Sequence, residues 1–290
     1  MQSNKAIRIF AGATAIVTGG ASGIGRALAE ELAKRGSEVI LVDLQADLAE
    51  KVASEIQASG GKAKAVKVDV TDFLAMERLV QETIERTGRL DYIFNNAGIA
   101  IGGPVRLYGI KDWNQIIDVN LGGVINGIQA AYRVMIDQGF GHIINTASMA
   151  GLLPGPGNVA YTTTKHAVVG LSKSLRAESA QMGVRVSVLC PGVIRTPILE
   201  GGKYGKMLID IPPEKMRPLW EKLKPMSPNL FAKKVLKSVA KNRAIIIVPL
   251  WWKRYWWINR LSPSLGIFLS QKRFQKVQKE LGMEIERPRV

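Results

Sequence analysis

The chain has 290 residues, 47% hydrophobic and 22% charged, so it carries enough apolar side chains for the core of a folded domain. This composition excludes a disordered or fibrous protein. A single cysteine, Cys190, rules out an internal disulfide, and the first residues lack the pattern of a secretion signal. We therefore expect a reduced, cytoplasmic protein.

The net charge of +16 is distributed unevenly. Residues 203–290 hold 20 Lys and Arg against 6 Asp and Glu, a net charge of +14, whereas residues 1–202 carry only +2. The sequence predicts one folded domain over 1–249, followed by a basic, aromatic extension over 250–290, called the tail below.

Short β-branched runs alternate with longer helical patterns along the first 249 residues. Strands are predicted at 13–18, 38–43, 64–68, 92–95, 142–146, 184–189 and 244–248. Helices are predicted at 26–35, 48–58, 74–87, 113–136, 161–182 and 229–241. This alternation predicts an α/β fold with one doubly wound parallel sheet of about seven strands and helices on both faces.

A glycine turn lies where the first predicted strand passes into a helix. The residues of this turn that are predicted to bind a ligand are Thr18, Gly19, Ser22, Gly23, Ile24 and Gly25. Glycines at such a turn allow close backbone approach, and the N–H groups of the following helix bind a pyrophosphate. The alternative is a flexible turn with no ligand, but a strand before it and a helix after it favour a dinucleotide site.

Asp43 ends the second predicted strand, where a carboxylate accepts hydrogen bonds from the hydroxyls of an adenosine ribose. It would repel a 2′-phosphate, and Leu44 stands where an arginine would hold one. The sequence therefore favours NAD over NADP. Taken alone, Asp43 is equally well an ordinary turn residue.

Tyr161 and Lys165 are four residues apart in a predicted helix, so both side chains lie on one face. Tyrosine is a poor acid or base at neutral pH unless a nearby cation stabilises its phenolate, which Lys165 would do. An isolated pair of this kind more often marks an ordinary surface face. Ser148, however, follows the strand at 142–146, at the sheet edge where α/β proteins bind ligands.

Six motifs in order over about residues 12–249 make the chain resemble the short-chain dehydrogenase/reductases, which have a Rossmann-type fold. They are the glycine turn, Asp69-Val70, Asn95-Asn96-Ala97-Gly98, Asn120, Ser148 with Tyr161 and Lys165, and Pro191-Gly192-Val193-Ile194-Arg195-Thr196. The resemblance implies cofactor contacts from Asp43, Leu44, Asp69, Val70, Asn96, Ala97, Gly98, Tyr161, Lys165, Pro191, Gly192, Ile194 and Thr196, besides the glycine turn.

The resemblance also implies the catalytic roles. Asn120 would hold a water in a proton relay, and Ser148 would hydrogen-bond the substrate oxygen. Tyr161 would pass the proton, while Lys165 would hold the nicotinamide ribose and lower the Tyr161 pKa. We expect an NAD(P)-dependent enzyme acting on CH–OH groups, most simply an NAD-dependent alcohol dehydrogenase or ketone reductase. The contrasting hypothesis is a scaffold that binds the nucleotide without turnover.

Substrate identity should depend on the loop 149–159 and on the segment 195–228. The pocket residues expected there are Met149, Leu153, Val159, Ile198 and Leu199. Their apolar character favours a bulky alcohol or ketone, such as a steroid, retinoid or other lipid-like compound, over a small polar one. The alternative is that many of these side chains pack against the sheet.

The tail places four of the six tryptophans within 251–257, among lysines and arginines. If the tail forms a helix after Pro249, one face of that helix carries Trp251, Trp252, Tyr255 and Trp256. Three hypotheses remain: peripheral contact with an anionic membrane, packing on the cleft or a partner subunit, and, least favoured, nucleic acid binding. The longest uncharged run, 261–271, is too short to span a bilayer.

Two further expectations concern partners and metals. The resemblance implies a homodimer or homotetramer, with the helices 113–136 and 161–182 at the interface. His142 and His166 are too few and too isolated to form a metal site, so no metal is predicted.

Overall fold

The computed structural model describes residues 6–199 and 204–282. Its central sheet has seven parallel strands in the spatial order β3-β2-β1-β4-β6-β7-β9. These strands are β1 (Thr14–Thr18), β2 (Glu38–Asp43), β3 (Lys62–Lys67), β4 (Tyr92–Asn95), β6 (Gly141–Thr146), β7 (Val184–Pro191) and β9 (Ile245–Val248). The seven-stranded, doubly wound parallel sheet predicted from the sequence is confirmed.

Helices cover both faces of the sheet, and the buried side chains between helices and sheet form two apolar layers, one on each face. One layer includes side chains of α1 (Gly23–Lys34), α2 (Ala46–Ala58) and α8 (Pro228–Ala240). The other includes those of α3 (Phe73–Thr87), α5 (Gly123–Gln138) and α6 (Val159–Glu178). Burial on both faces explains why the strands read as continuous apolar runs.

The strand order reverses between β1 and β4, since the chain winds outward from β1 in one direction and from β4 in the other. The carboxyl ends of these two strands therefore open a crevice where α/β proteins bind their ligands. Thr18 ends β1 and Asn95 ends β4. Both belong to motifs already identified in the sequence.

The single helix predicted over 113–136 is wrong in detail. The chain forms α4 (Ile110–Ile117), a π-helical turn (Asp118–Gly122) and then α5. The apolar periodicity runs across the turn, so the sequence pattern conceals the break. π-helical turns are uncommon and often mark functional sites, and this one contains Asn120.

Two short strands and one helix escaped sequence analysis. β5 (Ala100–Gly102) pairs with β8 (Gly205–Met207) in a separate two-stranded sheet, and α7 (Pro213–Glu221) follows. Three-residue strands are too short to show an alternating pattern. Their pairing attaches the segment 195–228 to the chain leaving β4.

The tail forms two helices instead of one, α9 (Trp252–Leu261) and α10 (Pro263–Leu281). Ser262 separates them, and its hydroxyl caps α10 by accepting a hydrogen bond from the Leu265 N–H at 3.4 Å. Trp252 is buried, and Trp251 and Trp256 pack on the same core, whereas Tyr255 stays exposed. Among the described residues, no helix combines the length and the apolar character needed to cross a membrane.

Candidate active site

The two strands at the crevice are joined through Thr18. Its hydroxyl accepts hydrogen bonds from the backbone N–H groups of Asn96, at 2.9 Å, and Ala97, at 3.0 Å. The Asn96 side-chain amide donates in turn to the Thr18 carbonyl at 3.1 Å. These bonds fix the glycine turn against the Asn95–Gly98 motif at the carboxyl ends of β1 and β4.

The glycine turn has the shape that a bound pyrophosphate requires. Gly19 and Gly23 adopt φ angles of +63° and +52°, which favour glycine. At Gly25 a Cβ atom would lie 2.0 Å from the Gly19 carbonyl oxygen, so only glycine fits this close approach. Ser22 precedes α1 without a side-chain capping bond, and the first turn has no acidic residue. The helix N–H groups and the positive end of the helix dipole suit an anionic ligand here.

Asp43 is buried and bound to this turn. One carboxylate oxygen accepts a hydrogen bond from the Ala21 N–H at 3.1 Å, and the other accepts one from the Gln45 N–H at 3.0 Å. Leu44 is 57% exposed beside it. A carboxylate thus stands at the edge of the pyrophosphate site, as an NAD ribose requires, and the neighbouring side chain offers no positive charge.

Three further residues predicted to contact the cofactor have defined surroundings in the structure. Thr196 lies beside the glycine turn, because a Cβ on Gly23 would be 3.2 Å from the Thr196 Cβ. Val70 is buried against α5 at Gly123. Asp69 accepts two hydrogen bonds from Thr71, at 2.9 and 2.8 Å, which shape the turn after β3. The residues present therefore fit a nicotinamide dinucleotide.

Lys165 extends from α6 into the interior, where its side chain is only 3% exposed. Its Nζ donates a hydrogen bond to the Thr146 carbonyl oxygen at 3.0 Å and lies 5.5 Å from the Tyr161 ring centroid. Burial lowers the pKa of Lys165 to about 8, a change that the nearby Cys190 opposes. Lys165 therefore stays mostly protonated at neutral pH.

Tyr161 lies one helical turn before Lys165 and within hydrogen-bonding reach of Ser148. Burial raises the pKa of Tyr161, and the hydrogen bond to Ser148 lowers it by less. The predicted lowering of the Tyr161 pKa by Lys165 is not seen in this arrangement. The Lys165 ammonium is instead directed to the Thr146 carbonyl. Tyr161 thus holds its proton at neutral pH.

Asn120 is completely buried in the π-helical turn. Its Oδ1 accepts a hydrogen bond from the Ile99 N–H at 2.8 Å, and its Nδ2 donates to the Ile99 carbonyl at 2.9 Å and to Thr164 at 3.3 Å. At Gly98 a Cβ would lie 3.1 Å from Asn120 Oδ1 and 3.5 Å from Lys165 Nζ. Asn120 therefore holds the Gly98–Ile99 backbone close to Lys165.

The predicted pocket residues divide into two groups. Leu153, Val159, Ile198 and Leu199 are partly buried, as expected of side chains around a cleft. Met149 is 4% exposed and belongs to the apolar layer around β6 and β7, so it packs the loop 149–159 against the sheet. A separate cavity of about 430 Å³ lies between α6 and α9 and contains none of the catalytic side chains.

Sequence reasoning missed two contributors to the site. Thr146 provides the backbone carbonyl that binds Lys165, a role without any side-chain signature. Trp252 packs directly on Gly192, where a Cβ would lie 2.1 Å from the indole Nε1. The tail therefore supports the Pro191–Gly192 end of the cofactor site, and no local pattern links residues 60 positions apart.

Comparison with known sequences agrees with this geometry. The family described as short chain dehydrogenase matches residues 13–203. An uncharacterised oxidoreductase of Listeria innocua is 43% identical over 187 residues, which cover 64% of this chain and 75% of that protein. A 2,5-dichloro-2,5-cyclohexadiene-1,4-diol dehydrogenase of Sphingobium indicum is 39% identical over 189 residues, 65% of this chain and 76% of that one.

Solved structures show the same architecture. A short chain dehydrogenase/reductase from Burkholderia phymatum in complex with NAD matches with a TM-score of 0.74 and 25% identity, over 98% of this chain and all of that one. Levodione reductase matches with a TM-score of 0.75 and 29% identity, over 82% of this chain and 96% of that chain. A protein from Beutenbergia cavernae, described as a putative NAD(P)-dependent gluconate 5-dehydrogenase with bound NADP, matches with a TM-score of 0.74 and 30% identity. The match covers 85% of this chain and 100% of that chain.

The family match covers the glycine turn, Asp43, Asn120, Ser148, Tyr161 and Lys165, and the structure brings these residues together around one crevice. The chain is therefore a member of the short-chain dehydrogenase family of oxidoreductases.

Proposed function

We propose that this oxidoreductase uses NAD to interconvert a secondary alcohol and a ketone. The observation that carries the proposal is the grouping of Ser148, Tyr161 and a buried Lys165 beside a glycine turn whose neighbouring acid, Asp43, suits a ribose diol. The Burkholderia phymatum neighbour binds NAD, which supports the choice of cofactor.

The residues divide the chemical work. A bound nicotinamide dinucleotide would supply the acceptor or donor of hydride. The glycine turn and the first turn of α1 would hold its pyrophosphate, and Asp43 would accept hydrogen bonds from its adenosine ribose. Ser148 would orient the substrate oxygen, with its hydroxyl in reach of the Tyr161 hydroxyl.

Proton transfer falls to Tyr161. In ketone reduction its hydroxyl gives a proton to the substrate oxygen; in alcohol oxidation its phenolate takes that proton. Burial opposes the phenolate, while the hydrogen bond to Ser148 favours it to a smaller extent. Oxidation should therefore speed up with rising pH until Lys165, whose pKa is about 8, begins to lose its own proton.

We further propose a bulky, apolar, lipid-like substrate. The partly buried side chains around the cleft, Leu153, Val159, Ile198 and Leu199, are all aliphatic. The Sphingobium relative is named for a chlorinated cyclic diol, which supports an apolar cyclic alcohol here. Such substrates partition into membranes, and we extend the proposal to peripheral contact of the tail with an anionic membrane. A homodimer or homotetramer is proposed for the assembled enzyme.

The test is NADH and NADPH formation across secondary alcohols from short-chain to steroid and retinoid. We expect turnover with NAD on the bulky members. Tyr161→Phe should reduce kcat by at least about 100-fold, as for loss of a general acid–base group, with NAD binding retained by calorimetry. Tyr255→Phe, on an exposed tail residue, is the matched control. Unchanged turnover in Tyr161→Phe would refute the mechanism, and NAD binding without turnover on any alcohol would favour a scaffold.

A further inference from the structure

The inner side of the tail is fixed to the loops around the active site. Besides the contact of Trp252 with Gly192, Asn259 Nδ2 donates a hydrogen bond to the Leu152 carbonyl at 3.1 Å. Phe274 lies against Gly157, where a Cβ would be 3.0 Å from its ring. Since these contacts come from one side of α9 and α10, the opposite side of each helix is held outward.

The outward side is unusually apolar. Five large side chains on it are exposed, and we call them the outer face: Ile258, Leu261, Leu265, Phe268 and Leu269. Leu261, at the end of α9, is 80% exposed, and Phe268 is 51% exposed. Single exposed leucines are ordinary, but several large exposed apolar side chains on one side of two adjacent helices are typical of a surface that binds a partner.

Positive charge continues the outer face along α10. Lys272 follows Leu269, Phe268 and Leu265 by three, four and seven residues. Lys276 follows Leu269 by seven residues and Lys279 follows Lys272 by seven, so the three lysines lie on the same arc of the helix. Residues 250–282 carry seven Lys and Arg and one acid, Glu280. Glu280 forms an ion pair with Lys222, in the segment 195–228, at 2.8 Å.

We propose that the outer face of α9 and α10 docks on the surface of an anionic lipid bilayer. Its aliphatic and aromatic side chains would enter the interface between acyl chains and headgroups, while Lys272, Lys276 and Lys279 bind the lipid phosphates. A second copy of this chain would bring two basic faces together, which like charges oppose. A nucleic acid would satisfy the lysines but leave the apolar side chains exposed to water.

Docking in this way places the substrate cleft next to the membrane. The loops at 149–158 and 191–192 touch the inner side of the tail, so they lie within a helix diameter of the docked surface. An apolar alcohol would then pass from the bilayer to the cleft without crossing bulk water. This step rests on the proposed oxidoreductase function, whereas docking itself does not.

Vesicle flotation of the full chain tests docking without any need for turnover. The vesicles are phosphatidylcholine alone, or phosphatidylcholine mixed with phosphatidylglycerol. We expect flotation with the mixed vesicles at low salt, little with phosphatidylcholine, and weaker binding at high salt. Absence of flotation with mixed vesicles at low salt would overturn the proposal and would leave the oxidoreductase proposal untouched.

Two variants test separately the lysines of α10 and the apolar side chains of the outer face. K272Q/K276Q/K279Q should weaken binding to mixed vesicles on the order of 100-fold, since each lysine near an anionic surface contributes about fivefold. Its matched control is K233Q/K234Q/K237Q, which removes the same charge from exposed positions on α8. L261S/F268S should also lose binding, whereas L74S/L230S, at exposed leucines on α3 and α8, should not.

Three results would contradict docking on lipid. Equal loss in both lysine variants would show attraction by net charge alone. Tighter binding to poly(U) RNA than to mixed vesicles at the same salt would assign the face to nucleic acid. A dimer in light scattering that L261S/F268S converts to a monomer would make the outer face a subunit interface.

Discussion

Lys165 is a buried cation whose Nζ has a backbone carbonyl as its hydrogen-bond partner, and within the described residues no carboxylate forms an ion pair with it. Burying an ammonium costs free energy, and here the cost appears as a pKa lowered to about 8. Perturbed titratable groups of this kind are concentrated at functional sites. The position of Lys165 beside Tyr161 therefore supports a catalytic function over a purely structural one.

We also expect cofactor choice to depend on two neighbouring residues, Asp43 and Leu44. In Asp43→Asn with Leu44→Arg, the carboxylate that would repel a 2′-phosphate is gone and an arginine stands beside the site. We expect the preference for NAD over NADP to shift by roughly 100-fold or more, since hydrogen bonds to charged groups contribute about 1.5–3 kcal/mol each. The measurement is kcat/KM with each cofactor.

Leu44→Arg alone is the control for this variant. It retains the Asp43 carboxylate and its hydrogen bonds to the Ala21 and Gln45 N–H groups, so NAD should remain preferred. A double variant that still prefers NAD by the wild-type ratio would show that Asp43 does not discriminate between the cofactors.

At the scale of elements, the sequence predicted the helices and strands whose hydrophobic pattern is long or repeated. All seven strands of the main sheet were located, because strands buried on both faces are continuous apolar runs. Boundaries moved by a few residues; α1, for example, begins at Gly23 within the glycine turn. The three-residue strands β5 and β8 and the π-helical turn have no periodicity of their own, so sequence could not show them.

Helix α9 should act as a support for the cofactor site. Trp252 is 7% exposed and its indole lies on Gly192, so Trp252→Ala would leave a cavity under that backbone. We expect a loss of about 3–5 kcal/mol in the free energy of unfolding. We also expect a higher KM for NAD with a smaller change in kcat. Denaturant unfolding and steady-state kinetics measure the two effects.

Trp257→Ala provides the matched comparison, because Trp257 lies on the same helix and is 44% exposed. Its effect on stability should stay within about 0.5 kcal/mol. If both variants lose similar stability and retain the wild-type KM for NAD, the tail does not support the cofactor site.

At the scale of the whole molecule, the site could be predicted because the topology brings separate motifs together. The glycine turn follows β1 and Ser148 follows β6, and parallel strands place their carboxyl ends at one edge of the sheet. Tyr161 lies in the first turn of α6, within reach of Ser148. Contacts that depend on the final packing were beyond sequence analysis. The hydrogen bond from Lys165 to the Thr146 carbonyl and the contact of Trp252 with Gly192 are two examples.

Stability of the whole molecule toward acid should depend on His142, in strand β6 in the interior of the sheet. The side chain is completely buried, and its Nε2 lies 2.8 Å from the Ser187 hydroxyl. Its Nδ1 has no hydrogen-bond partner among the described residues. Burial, together with Arg185 and Arg176, lowers the pKa of His142 to about 3. The folded protein thus keeps this imidazole neutral where the unfolded chain protonates it.

The unfolded chain binds a proton at His142 below its ordinary pKa of 6.5, whereas the folded protein does so only near pH 3. Stability from this group is therefore complete above about pH 6.5 and declines as the pH falls toward 3. Compared with His142→Gln, the wild type should lose about 2–3 kcal/mol more between about pH 7 and pH 4.5. Urea unfolding across this range measures the difference. His166→Gln, at an exposed histidine on α6, should run parallel to the wild type. Parallel curves for wild type and His142→Gln would instead mean that His142 is protonated in the fold, which its environment opposes.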